Sequence, residues 1–348
     1  MSRPRSPVTT AAGVLIASAC AAALAVSTPA AALPSWSDPN AAYPMAPHVA
    51  QPVGTSAILP GTSCRVFPAD DIWHADVTRL PVSPRSAQWL AHMQASTRLL
   101  HPDFGPSGGF PYGIPVTVAA ASHPKVAVHF DYADESDPGP YPLGSDTKIE
   151  GGPGATGDRH AIVVDAGTCR LYETWDTRPS GGRWYAGSGA IWNLASDALR
   201  PAGWTSADAA GLPILPGLLR YDEVAAGHVD HAIRFTTTIT DRAYVWPARH
   251  QAGSVSDPSY PPMGAWFRLR ADYPTAGLSP MTVAVIQAMK HHGLVLADNG
   301  SPWYFQGTAD TRWPDRLISE LKRIPASAFV AIDVSSLRVS ANSGQAVS

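Results

Sequence analysis

The chain has 348 residues, of which 45% are hydrophobic and 15% charged, and its formal net charge is −3. This length and hydrophobic content suffice for a large buried core. The slightly acidic balance excludes an electrostatic nucleic-acid binder, which needs a basic surface, so we expect no nucleic-acid partner.

The first 32 residues have the pattern of a secretory signal peptide. Arg3 and Arg5 give a basic start, an apolar run covers 11–26, and small residues lead to a predicted cleavage site after Ala32. The apolar run is shorter than a membrane span of about 20 residues, so we expect no membrane span. We therefore predict a secreted protein, either extracellular or periplasmic.

The exported chain is predicted to contain one folded domain. Residues 33–61 are rich in Pro, Ala and Ser, which predicts a disordered leader. A single β-rich domain is expected over 62–336, followed by a frayed tail over 337–348. Cys64 and Cys169 are the two cysteines left after cleavage, and an oxidising compartment favours a disulfide between them.

The first half of the domain reads as one short helix and several short strands. Ser83 and Pro84 resemble an N-cap followed by Pro at the first helical position, which predicts a helix of about ten residues. Segments bounded by Pro and Gly predict strands at 114–119, 125–132, 157–165, 169–173 and 184–194. The third and fourth of these segments flank a short turn and so predict a central hairpin.

The second half adds the best-defined helices. Ser279 followed by Pro280 predicts a helix up to Gly293, because apolar residues recur there at helical spacing. Further helices are predicted at 221–226 and 314–324, strands at 231–238, 266–271 and 328–334, and a hairpin over 294–306. We predict a mainly β fold, an antiparallel β-sandwich with jelly-roll-like connections and about three peripheral α-helices.

Two glycine motifs lack the context that their chemistry requires. Residues 152–157 match G-x-G-x-x-G but precede a strand, whereas a dinucleotide site needs a helix there. Residues 105–109 match G-x-S-x-G, but Pro and Gly follow where a nucleophile elbow needs a helix. We interpret both segments as loops.

Polar residues collect at the entrance of the central hairpin. Glu150, Asp158 and His160 lie near the start of its first strand, and Glu173 interrupts an apolar row on its second. Polar groups in such positions are costly unless they are paired or used, so we predict these four as catalytic residues. A buried structural pair, such as Arg159 with Glu173, explains the pattern equally well.

This set of residues suits two reactions on a polysaccharide. Paired carboxylates can cleave a glycosidic bond, one protonating the leaving oxygen and the other activating water or attacking the sugar. An imidazole with an arginine can instead abstract a proton beside a uronate carboxylate, as in a lyase. The separation of the carboxylates, which bears on this choice, is not visible in the sequence.

A second set of side chains is assigned to substrate binding: Arg159, Trp204, Asp222, Arg234 and His250. Trp204 lies in a loop between Gly and Thr, where its ring can stack on a sugar. Asp208 completes a capping-box pattern that begins at Thr205, and Asp298 begins an Asp-Asn-Gly turn, so we assign both to local structure.

Metal sites are weak alternatives. The acidic segment 131–137 offers oxygen ligands of the kind that calcium prefers, but its spacing is not that of an EF-hand. His160, His231 and His250 lie near predicted strand ends and offer a three-histidine set for zinc. We predict no cofactor and no metal ligand, with calcium or zinc as the alternative.

Several segments resemble a group of exported bacterial proteins with no assigned activity. The resemblance lies in residues 200–217, 149–152, 157–160 and 297–301, and it covers most of the chain from Cys64 to Val334. It implies a bacterial, secreted origin and no particular mechanism.

The leading hypothesis is a secreted, monomeric carbohydrate-active enzyme, a hydrolase or a lyase, that cleaves a polysaccharide by carboxylate acid/base chemistry. Its expected partner is a glycan or cell-wall polysaccharide. One alternative is a non-catalytic glycan- or cell-wall-binding protein that uses the same cleft, and another is a metal-dependent enzyme that uses the histidines.

Overall fold

A computed structural model describes residues 58–107 and 110–347 of the protein, which belong to one compact unit. The predicted signal peptide and residues 33–57 of the predicted leader lie outside the described residues. Leader residues 58–61 contact the domain, because Ile58 forms a β-bridge with Arg65 and Leu59 is buried.

Strands dominate the described part of the chain, as predicted. In chain order they are β1 (His101–Asp103), β2 (Gly105–Ser107), β3 (Phe110–Tyr112), β4 (Val116–Ala119), β5 (Val128–Phe130), β6 (Ala161–Asp165), β7 (Arg170–Trp175), β8 (Arg178–Ser180), β9 (Arg183–Ala186), β10 (Ser188–Asn193), β11 (Ile233–Thr237), β12 (Trp266–Leu269), β13 (Leu294–Asn299), β14 (Tyr304–Gln306) and β15 (Phe329–Ile332).

Four α-helices occur among the described residues, where about three were expected: α1 (Ser86–His92), α2 (Tyr221–Ala225), α3 (Pro280–His291) and α4 (Asp315–Leu321). Helix α3 begins as the sequence predicts, because the Ser279 side chain accepts a hydrogen bond from the backbone N–H of Thr282 and Pro280 follows the cap.

The largest sheet has six strands in the order β1-β14-β11-β13-β12-β15. Its pairs β1–β14 and β11–β13 are parallel, whereas β11–β14 and β12–β15 are antiparallel. The sheet is therefore mixed, which corrects the prediction of antiparallel sheets. The hairpin predicted over 294–306 is also wrong, because β11 lies between β13 and β14 and pairs with both.

A second, four-stranded sheet has the order β10-β7-β6-β4 and contains the predicted central hairpin. Strands β6 and β7 pair in antiparallel fashion, with Asp165 opposite Arg170 at the turn. The strand predicted over 184–194 is instead split at Gly187 into β9 and β10. Strand β9 joins a three-stranded sheet of order β5-β9-β8.

Each face of the four-stranded sheet is covered by an apolar cluster. On one face, Ile162 and Leu171 pack with Ile214 and Leu215 from the connection between β10 and α2. On the other face, Val163 and other strand residues pack with residues of β5 and β9. Because side chains alternate along a strand, His160 and Glu173 lie on the same face as Ile162 and Leu171.

The predicted disulfide between Cys64 and Cys169 is confirmed, with the two Cα atoms 5.3 Å apart. The cysteines are separated by 105 residues in the sequence, so the bridge closes a long loop of the unfolded chain.

We expect the Cys64→Ser, Cys169→Ser double variant to lower the free energy of unfolding by about 2–4 kcal/mol, because the unfolded chain regains the entropy of that loop. Urea denaturation followed by tryptophan fluorescence measures the change. The reduced wild-type protein serves as the control and should match the double variant. A reduced protein with an unchanged midpoint would contradict the assigned contribution.

The segment predicted to fray is hydrogen bonded to the domain in several places. Gly344 accepts a hydrogen bond from the N–H of Ile72 at 2.8 Å and donates to the carbonyl of Asp197 at 2.6 Å. The Arg249 guanidinium binds the Ala341 carbonyl at 2.6 Å.

Within the part of the chain that the structure describes, no helix is long and apolar enough to cross a membrane.

Candidate functional site

Glu150 and His160 form an ion pair where the central hairpin begins. The carboxylate Oε2 of Glu150 lies 2.7 Å from Nδ1 of His160 and also accepts a hydrogen bond from the backbone N–H of His160. The carboxylate retains 28% side-chain exposure, whereas the imidazole is 4% exposed. The structure thus brings two predicted site residues together, with the carboxylate towards solvent.

Both ring nitrogens of His160 face acceptors, since Nε2 lies 3.2 Å from the carbonyl of Ala207. Only the imidazolium can donate from both nitrogens, and this agrees with its pKa. Burial lowers the pKa of His160, but hydrogen bonding and attraction to Glu150 outweigh burial and raise it above its usual value. For Glu150, burial raises the pKa, but the imidazolium and Arg234 lower it overall.

Glu173 is fully buried and holds a backbone turn. Its carboxylate accepts hydrogen bonds from the N–H groups of Ile214 and Leu215, at 2.9–3.0 Å. Burial raises its pKa to about 7, and repulsion from Asp208 adds to that, while the two N–H donors act in the opposite direction. The carboxylate oxygens of Glu173 therefore anchor the backbone of residues 214–215, and its catalytic role stays a prediction.

The Arg159 guanidinium is occupied by backbone carbonyls. It donates to Thr177 at 3.0 Å, to Gly152 at 3.2 Å and to Ala155 at 2.7 Å. It therefore holds the glycine-rich loop before β6 against the end of β7. This arrangement differs from both sequence interpretations, a pair with Glu173 and a substrate-binding cation.

Arg234 is a buried cation held by Asp208. Its guanidinium donates two hydrogen bonds to the Asp208 carboxylate, at 2.9 and 2.8 Å, and the two side chains are 3% and 0% exposed. Burial opposes the charge on Arg234, but attraction to Asp208 and Asp298 raises its pKa overall. The helical turn predicted at Asp208 is absent, because the Ser206 hydroxyl instead accepts the Asp208 N–H within a loop.

Asp298, which the sequence suggested as a turn residue, is the second carboxyl at this site. One oxygen lies 3.7 Å from the Arg234 guanidinium, and the side chain is 24% exposed. Burial and repulsion from Asp208 raise the pKa of Asp298 to about 7, although Arg234 and His160 pull it down. Asp298 therefore combines a pKa raised towards neutral pH with access to solvent.

Asp208 and Asp298 were missed because their local patterns have simple structural explanations. The signal that could have found them is Arg234 itself. An arginine between Ile233 and Phe235 in a predicted strand needs a carboxylate partner once it is buried, and both aspartates come within its reach only after folding.

Asp158 lies at the rim of the same region. Its carboxylate accepts a hydrogen bond from the indole N–H of Trp175 at 3.3 Å, and its charge helps to raise the pKa of His160. The structure thus groups Glu150, Asp158, His160 and Arg234 from the predicted set. It adds Asp208 and Asp298 to this group, whereas Glu173 is buried and binds the backbone.

Trp204 and His250 lie in a neighbouring polar group. The guanidinium carbon of Arg200 is 5.5 Å from the ring centroid of Trp204, so this half-buried ring already has a cation stacked near it. His250 directs Nδ1 at the carbonyl of Ala209, at 2.8 Å, and Nε2 lies 3.9 Å from Glu135.

Asp222 contacts other residues entirely. It forms an exposed ion pair with Arg312 at 2.8 Å, and Arg312 also binds Asp310 and lies over the ring of Tyr221. Asp222 therefore contacts Arg312 and its neighbours rather than the group around Glu150.

The metal alternatives lose their ligands to other contacts. His231 pairs with Glu223 at 2.9 Å, so the proposed three histidines have separate partners. In the acidic segment 131–137, Asp131 pairs with Arg178 and Asp137 with Arg200. Over residues 58–107 and 110–347, no group of three or more His, Cys, Asp or Glu side chains could hold a metal ion.

The site brings the basic side chains of His160 and Arg234 together with four carboxyl groups, those of Glu150, Asp158, Asp208 and Asp298.

Comparisons with protein-family models, with curated proteins and with solved structures find no match to this chain.

Proposed function

We propose that the protein is a glycoside hydrolase in which Asp298 is the general acid and Glu150 is the ionised carboxylate that activates water or attacks the sugar. The observation that carries this proposal is that two partly exposed carboxyls meet one group of basic side chains, Glu150 at 2.7 Å from His160 and Asp298 at 3.7 Å from Arg234. Their pKa values are shifted in opposite directions, in agreement with the two roles. Asp298 has its pKa raised to about 7, whereas the pKa of Glu150 is lowered. Two carboxyls with separated pKa values are what acid/base cleavage of a glycosidic bond requires.

The surrounding contacts give each carboxyl its role. The imidazolium of His160 and the guanidinium of Arg234 stabilise the negative charge of Glu150. The Asp208 carboxylate, which forms two hydrogen bonds with Arg234, disfavours a negative charge on Asp298. Both carboxyls are about one quarter exposed, so a substrate can reach them without opening the fold.

The arginine contacts favour a hydrolase over a lyase. A lyase needs a cation to neutralise the uronate carboxylate before a proton is removed beside it. Arg159 already donates to three carbonyls, and Arg234 forms two hydrogen bonds to Asp208. Both guanidinium groups of the site are therefore already hydrogen bonded to other partners and are poorly suited to neutralise a uronate carboxylate.

The proposed substrate is an extracellular glycan or cell-wall polysaccharide. The predicted signal peptide and the disulfide between Cys64 and Cys169 support an exported protein. The proposed scaffold is a sandwich in which the four-stranded sheet stacks on the sheet of β5, β9 and β8, supported by the apolar cluster that they share. Its jelly-roll connections stay a prediction.

A screen against polysaccharides tests the proposed reaction. The protein beginning at Leu33 is incubated with neutral and uronate polysaccharides, and both new reducing ends and the ultraviolet absorbance of unsaturated uronates are recorded. We expect new reducing ends without that absorbance. An absorbance increase would identify a lyase, and glycan binding with neither signal would identify a binding protein, so either result contradicts the hydrolase.

A further inference from the structure

Two aromatic rings lie near the Glu150–His160 pair and have no part in the proposed reaction. The first belongs to Trp175, the last residue of β7, whose indole N–H donates to the Asp158 carboxylate at 3.3 Å. The charge of Asp158 also acts on His160. The indole of Trp175 is therefore linked to the Glu150–His160 pair through Asp158.

The second ring belongs to Tyr132. Its centroid lies 6.4 Å from that of Trp175, with the ring planes tilted by 43°. Tyr132 is 53% exposed, and its backbone N–H donates to the carbonyl of Gly187 at 2.9 Å. The two rings therefore form a shallow, solvent-facing aromatic surface.

Gly187 lets the Trp175 ring lie against the backbone. A Cβ atom at this position would lie 2.1 Å from Cε3 and 2.3 Å from Cζ3 of Trp175, so a side chain would displace the ring. Trp175 is also partly buried against the apolar cluster of the four-stranded sheet. Its orientation is thus fixed by packing before any ligand arrives.

The edge of this aromatic surface is acidic. The indole N–H of Trp175 is bound by Asp158, an exposed carboxylate with further acceptor capacity. Asp131 and Asp176, which share the cation Arg178, add two further carboxylates near this edge. Carboxylates at the edge of the rings disfavour an anionic polysaccharide.

We propose that Tyr132 and Trp175 bind the ring of a neutral sugar by stacking, and that Asp158 accepts hydrogen bonds from its hydroxyl groups. An apolar ring surface beside a hydrogen-bond acceptor matches a pyranose, which has C–H groups on its faces and hydroxyls at its edge. This subsite rests on the proposed function, since it would hold the sugar next to the bond that Asp298 and Glu150 cleave. Asp158 is then a specificity residue rather than a catalytic one.

Calorimetry with defined oligosaccharides tests the subsite separately from catalysis. The probes are cellohexaose and mannohexaose as neutral chains and hexagalacturonate as an anionic chain. Titrations use the Asp298→Asn protein, so that the ligand is not consumed. We expect a neutral hexaose to bind, and Tyr132→Ala and Asp158→Ala each to weaken its binding by about fivefold.

Tyr244→Ala is the matched control, because it removes another exposed tyrosine ring, which is 38% exposed. It should leave the dissociation constant unchanged within about twofold. Thermal melting confirms that each variant is folded. Unchanged binding in Tyr132→Ala, tighter binding of hexagalacturonate than of the neutral chains, or no binding of either neutral hexaose would overturn the subsite.

Cleavage assays on the same substitutions in the otherwise wild-type protein separate the two proposals. Binding that depends on Tyr132, without any cleavage, would remove the hydrolase and leave the subsite. Cleavage that is unaffected by Tyr132→Ala, together with unchanged binding, would remove the subsite and leave the hydrolase.

Discussion

The Asp298→Asn variant is expected to lose about 10²- to 10⁴-fold in kcat on the polysaccharide that the wild-type protein cleaves, while remaining folded. An amide cannot donate the proton that the leaving oxygen needs. Below about pH 7 the wild-type side chain is itself neutral, because its pKa is raised to about 7, so the substitution changes little else in the charge balance around Arg234. Steady-state kinetics and thermal melting give the two measurements.

The pH profile of the wild-type protein gives an independent check on the same residue. Activity should fall as the pH rises through about 7, because Asp298 then loses its proton. It should also fall on the acidic side, below the usual pKa of a glutamate, because Glu150 then becomes protonated. The expected profile of kcat/KM is a bell.

Asp333→Asn is the matched control for this experiment. Like Asp298, Asp333 accepts a hydrogen bond from a nearby backbone N–H, here that of Ser335 at 2.9 Å. It is exposed and directly follows β15, which is the edge strand opposite β1 in the six-stranded sheet. Full activity in Asp298→Asn, or an equal loss in Asp333→Asn, would show that Asp298 is not the acid.

A second large effect is expected from Arg234→Met, which should lower the free energy of unfolding by about 3–5 kcal/mol. The substitution leaves Asp208, whose side chain is 0% exposed, as a buried charge without its partner. Urea denaturation at neutral pH measures the loss. The double variant Arg234→Met, Asp208→Leu should lose less than the sum of the single changes, because it removes both charges.

The exposed pair of Arg312 with Asp222 provides the contrast. Both side chains are about half exposed, at 50% and 46%, so Arg312→Met should cost less than about 1 kcal/mol. Equal losses for the two arginine substitutions would mean that burial of the Arg234 pair has no special weight. If the double variant lost the sum of the two single losses in free energy of unfolding, the Arg234–Asp208 pair would likewise have no special weight.

The parts of the fold that follow local rules were predictable from the sequence. The central hairpin, the N-cap at Ser279 and the Cys64–Cys169 bridge depend on neighbouring residues or on composition alone. The hairpin expected over 294–306 failed because a segment sixty residues earlier in the chain, β11, takes the place between its two strands. Local turn chemistry gives no information about such an insertion.

Only the part of the site whose residues lie close together in the sequence was predictable. Glu150 and His160 are ten residues apart and meet across one loop. Arg234 contacts Asp208 and Asp298 only through tertiary packing. The sequence therefore offered no reason to assign Asp208 beyond the capping box or Asp298 beyond the turn. For Arg159 the sequence suggested a functional role, substrate binding, whereas in the structure its guanidinium binds three backbone carbonyl groups.

Residues 206–214, which form neither a helix nor a named strand, connect the two halves of this site. The Ala207 carbonyl faces His160, the Ile214 N–H binds Glu173, and Asp208 holds Arg234 of the other sheet. In the proposed hydrolase this loop acts as a spacer between Glu150 and Asp298. Glycosidases that retain or invert the anomeric configuration differ in that spacing by a few ångströms, so the stereochemical outcome would be encoded in loop length rather than in either sheet.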